Sequence, residues 1–78
     1  MDETKRKVIG CLAELFEMQE EELKDNFELT ENIWDSLAIV TTISLVHKYY
    51  KIVLDGDKVE KCSKLSDLFD LIKDELTK

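Results

Sequence analysis

The chain contains no proline and only two glycines, Gly10 and Gly56, so little in it breaks a long helix and nothing supplies a glycine-rich loop to cradle a phosphate. Its single histidine, His47, has no second histidine with which to build a metal cluster. The two cysteines, Cys11 and Cys62, lie far apart and form no C-x-x-C, which argues against both a thiol redox pair and a zinc site. Both are expected to stay reduced and to pack as small apolar residues. With no Ser/His/Asp order standing out, the composition argues against an enzyme that works alone. Positive charge is scarce as well: 11 Lys and Arg against 18 Asp and Glu leave a net charge of -7, the wrong sign for a protein that grips a phosphate backbone. Outside the N-terminal segment the longest apolar run is Leu37-Ala38-Ile39-Val40, far short of the roughly 20 residues that span a bilayer. The stretch from Val8 to Leu12 stops at Glu14 without a cleavage-like site, so no secretory signal and no membrane insertion are read, and a cytoplasmic location is expected.

What is present is enough to fold. Hydrophobic residues make up 44% and charged residues 37% of 78, which reads as one domain, 1–78, rather than a disordered chain. A chain this short buries only about 60% of its unfolded surface, so it holds a single core. Apolar positions recur at helical rather than alternating spacing, which predicts an all-α fold. The first helix is read over about 4–18, with Val8, Ile9, Leu12, Leu15 and Phe16 as its stripe and Asp2 and Glu3 at its positive end. The last is read over about 65–76, with Leu65, Leu68, Phe69, Ile72 and Leu76 inward and Ser63 or Ser66 as its cap. Between them a strong helix over about 36–50 carries Ile39, Val40, Ile43, Val46 and Tyr50. Asp35 serves as its N-cap, and Trp34 before it is placed to staple against Ile39. Asp55-Gly56-Asp57 then breaks the chain ahead of a short helix near 57–61. The connection from about Gln19 to Asp35 is long for so small a domain. Leu23, Phe27, Leu29 and Ile33 recur through it and predict an ordered loop pinned to the helices, with a helical turn at about 20–24.

The run Trp34-Asp35-Ser36-Leu37, standing after an acidic loop at the head of an amphipathic helix in a short acidic chain, resembles the acyl carrier proteins over nearly the whole chain. That resemblance implies a four-helix acyl-carrier-like bundle, with three main helices, one short helix and a long ordered loop between the first and second. It implies that Ser36 is the attachment point of a phosphopantetheine arm, transferred from coenzyme A by a magnesium-dependent phosphopantetheinyl transferase. The arm would hold acyl or aminoacyl groups as thioesters for partner loading and transfer enzymes, the carrier itself being a monomer that catalyses nothing. Asp35 would cap the helix and present Ser36, while Leu37 would be exposed to the transferase. Trp34, Leu37, Thr41 and Thr42 are expected to form the partner-docking face. Physical chemistry agrees about Ser36, since a helix N-terminus offers unpaired N–H groups and positive potential to a phosphodiester. Read without the resemblance, Asp-Ser before a helix is also a plain capping sequence, which leaves a small helical adaptor with no prosthetic group as the alternative.

The chain departs from carriers of fatty acid synthesis in two ways. Asn32-Ile33-Trp34 stands where those proteins usually have a glycine shortly before the serine, and the second helix lacks their acids. Residues 36–53 contain two lysines and no Asp or Glu, while 1–35 carry 11 acids against 4 bases. This points to a stand-alone carrier of a specialised pathway, whose exposed helical face would hold Ala38, Thr41, Thr42, Ser44, His47 and Lys48. Crowding also has a thermodynamic consequence, because residues 14–35 hold nine acids against Lys24 alone. Added salt or divalent cations should raise the melting temperature by relieving that repulsion. Thermal melts at low and high ionic strength check this, and an unchanged midpoint would mean that the charges are too dispersed to repel.

Overall fold

A computed structural model describes residues 3–77, so Asp2, expected at the start of the first helix, lies outside the described residues. Four α-helices follow one another: α1 (Glu3–Phe16), α2 (Ser36–Tyr50), α3 (Gly56–Glu60) and α4 (Leu65–Leu76), with a 3₁₀ turn at Glu20–Glu22 between the first two. The described residues are therefore mainly helical, as the apolar spacing predicts. α2 packs against α1 on one side and α3 on the other. Val8, Leu12, Val46, Val59, Leu65 and Leu68 form the most deeply buried centre.

α1 ends two residues earlier than the sequence suggests. Glu17 turns into the left-handed region at φ 56°, its N–H donates to Glu14 O at 3.2 Å, and Met18 N–H donates to Ala13 O at 2.9 Å. These two bonds make a Schellman closure, normally built on glycine. Lys51 stops α2 in the same conformation, at φ 62°, with its N–H on His47 O at 3.0 Å. Neither glycine has a positive φ, so helix termination was not readable from glycine positions.

The buried line of α2 is Ala38, Thr42 and Val46, each four residues from the next. This corrects the expected stripe. Ile39, Ile43 and Tyr50 are half-buried, but Val40 is 60% exposed, and Ala38 and Thr42 leave the solvent face to which the sequence assigned them. The reason is the position of α2 between two helices. Tyr49, on the same side as Ala38 and Thr42, meets Cys11 of α1, with its hydroxyl 3.8 Å from the Cys11 sulfur. Ile43, on the other flank, lies against Gly56 at the start of α3. Small side chains on the α1 side let the helices approach closely, whereas hydrophobicity alone favours the larger Val40. Leu76, placed in the α4 stripe by spacing, is 50% exposed in the last turn of its helix.

The long connection is ordered, as its apolar residues predict. Leu23 and Leu29 are buried, Phe27 stacks on Phe16 with centroids 6.2 Å apart, and Glu28 forms an isolated antiparallel bridge with Lys64. Leu29 N–H donates to Ser63 O at 2.8 Å, and in return Leu65 N–H donates to Phe27 O at 2.9 Å and Ser66 N–H to Asp25 O at 3.0 Å. Loop carbonyls thus satisfy two first-turn donors of α4 that have no partner within the helix. Neither Ser63 nor Ser66 caps that helix. Asp67 instead folds back, its carboxylate accepting from Ser63 N–H at 3.0 Å and Lys64 N–H at 3.1 Å.

Thr42 is wholly buried, and its Oγ1 has no hydrogen-bond partner among the described residues. A buried hydroxyl without a partner keeps its desolvation cost, while an apolar group of the same shape does not. Thr42→Val should therefore stabilise the fold by about 1 kcal/mol, read as a higher urea midpoint at unchanged m-value. A lower midpoint would show that the hydroxyl has a partner in solution.

Candidate functional site

The segment 34–37 turns the loop into α2, and each of its residues faces a different environment. Trp34 is buried at 8% exposure, its indole N–H donating to Val59 O of α3 at 3.0 Å and its ring in T-shaped contact with Phe16, centroids 6.3 Å apart. It is a core anchor rather than a docking residue, because a large ring with one donor is best satisfied where apolar walls and a free carbonyl coincide. The next residue, Asp35, has extended backbone and caps α2, with Oδ1 accepting from Ala38 N–H at 2.8 Å. Ser36 is the first helical residue and is exposed.

The cap leaves donors free. Asp35 satisfies the third N–H of the helix and the Asp35 carbonyl takes Ile39 N–H at 3.0 Å, whereas the N–H groups of Ser36 and Leu37 have no intrahelical acceptor. Ser36 thus stands exposed beside two donors that have no partner among the described residues, at the positive end of a helix of 15 residues. These groups suit a phosphodiester on the Ser36 oxygen. Leu37 is 71% exposed and walls a hollow of about 230 Å³ with Leu15, Phe16 and Ile33.

Of the residues expected to dock partners, Leu37 is on the surface, Thr41 is half-buried, and Trp34 and Thr42 are in the core. Val40, one helical turn beyond Leu37, is also exposed. Its exposure was hidden in the sequence because a valine in an amphipathic helix is read as core. Cys11 is half-buried, and burial, with a smaller contribution from the charge of Asp67, pushes the Cys62 thiol from 9.0 up to about 11, leaving it a weak nucleophile at neutral pH. No group of three or more potential metal ligands occurs among the described residues, and no helix there is long and apolar enough to cross a membrane.

The geometry separates the cap from the hydroxyl beside it. Asp35→Ala should cost about 0.5–2 kcal/mol by removing the capping acceptor, while Ser36→Ala should change stability by less than about 0.5 kcal/mol. Chemical denaturation of the two variants checks this, and equal losses would place Ser36 in the cap. A scan of the chain against models of known protein families found no match, and a search of curated proteins found none with significant similarity.

Proposed function

We propose that this chain is an acyl carrier protein in which Ser36 bears a phosphopantetheine arm. The observation that carries the reading is the exposed Ser36 in the first turn of α2, next to a cap that occupies one first-turn donor and leaves those of Ser36 and Leu37 without a partner among the described residues. When attached, the arm supplies the thiol on which acyl or aminoacyl groups are held as thioesters. The chain's own part is attachment, presentation and recognition. Trp34 fixes the approach of the loop to α2 by its bond to Val59, and Asp35 holds the first turn open in helical form. Backbone donors and the helix dipole favour the added negative charge. A serine at a loop-helix junction can also be reached by another enzyme without unfolding the carrier.

Several features support a specialised stand-alone carrier, with the phosphopantetheinyl transferase and acyl- or aminoacyl-loading enzymes as partners. The domain is short, its loop is acidic, and α2 carries no carboxylate. Leu37 is open to a transferase. The same exposed side chains would also suit an adaptor without a prosthetic group, so the deciding property is covalent modification.

Co-expression with a broad-specificity phosphopantetheinyl transferase, followed by intact-mass measurement, tests the reading. A phosphopantetheine adduct is expected on the wild-type chain and not on Ser36→Ala. A wild-type chain that stays unmodified, or an adduct that persists in the variant, overturns it.

A further inference from the structure

The outer side of α2 is unlike the rest of the molecule. Leu37, Val40, Ser44, His47 and Lys48 fall on one side of α2 by helical spacing, Lys51 follows them at the C-cap, and all six are exposed. Leu37 and Val40, at 71% and 60% exposure, form an apolar end next to Ser36, and the two lysines form a cationic end. Among the described residues neither lysine pairs with a carboxylate, and Lys48 Nζ instead lies over the Tyr49 ring, 5.3 Å from its centroid. The chain has 18 acidic residues, yet none falls within 36–53. Residues 36–53 thus carry two lysines and no carboxylate in a protein of net charge -7, and this cationic stretch coincides with an unburied apolar pair.

Resting on the carrier reading of Ser36, we propose that this face of α2 docks partner enzymes whose own docking surfaces are acidic around an apolar recess. Leu37 and Val40 fill the recess, and Lys48 and Lys51 meet carboxylates at its edge. Charge complementarity selects that partner. A nucleic acid or an anionic membrane, though attracted to the lysines, would be repelled by the nine carboxylates of residues 14–35, which include Asp35 immediately before the helix. A partner protein can confine its negative charge to the area over α2. A basic docking surface would face two unpaired cations and gain nothing from the helix. Exposed charge pairs at such an edge act mainly on partner choice and encounter rate, while the apolar pair provides the buried contact.

The test uses one phosphopantetheinyl transferase with a basic docking face and the same enzyme with those basic residues changed to glutamate. The full chain is compared with Lys48→Glu/Lys51→Glu and with Leu37→Ala/Val40→Ala, each checked by circular dichroism, and kcat/KM for adduct formation is measured. The unaltered enzyme should modify Lys48→Glu/Lys51→Glu about tenfold better than wild type, a factor equivalent to about 1.4 kcal/mol, and the charge-reversed enzyme should invert that ratio. Leu37→Ala/Val40→Ala should lose about tenfold through KM. Equal efficiency of the wild-type and Lys48→Glu/Lys51→Glu chains on the unaltered enzyme overturns the inference while leaving Ser36 as the attachment site. So does full efficiency of the Leu37→Ala/Val40→Ala variant. Failure of Ser36 to be modified in any chain overturns the carrier reading itself and this inference with it.

Discussion

The bond from the Trp34 indole to the Val59 carbonyl ties together the parts on which the candidate site depends. Trp34 directly precedes the cap of α2, and Val59 lies in a helix of only five residues, too short to be stable without tertiary support. One buried hydrogen bond therefore anchors α3 and determines where the chain enters α2. Phe16, at the end of α1, makes a T-shaped contact with the same indole and stacks on Phe27 of the loop. Through this aromatic cluster the first helix, the loop and the short helix hold Asp35 and Ser36 at the surface, with the anchor immediately behind them.

The loop between α1 and α2 stays ordered because its backbone has partners. Three of its backbone groups exchange hydrogen bonds with residues 63–66 at the start of α4. Those bonds also satisfy donors that α4 would otherwise leave open. The arrangement holds the acidic loop in place despite its charge, with Leu23 and Leu29 beneath it. Because residues 36–53 carry no acid, the acidic loop leads up to the Asp35 cap while two lysines lie near the other end of α2.

α2 serves two surfaces at once. On its α1 side, small residues allow close packing, including a threonine hydroxyl that gains no hydrogen bond from being buried. Its solvent side keeps two large apolar residues that the core does not use. The helix that begins with Ser36 thus keeps an exposed apolar end.

Much of this was legible in the sequence. Helical spacing located the main helices, Asp-Ser before an apolar run located the cap and the exposed serine, and recurring apolar residues marked the loop as ordered. These features depend on neighbours within a turn or two, where period and capping chemistry act directly. The end of α2 was legible to the residue, but that of α1 was not, because Glu17 adopts left-handed geometry without glycine and is held there by hydrogen bonds to the preceding turn. Nor was the burial of Trp34 decided locally, since it requires the Val59 carbonyl 25 residues away. The reversal of Val40 and Thr42 has the same origin. A helix packed on two sides buries the side chains that fit the gap, and only the tertiary structure determines how wide that gap is.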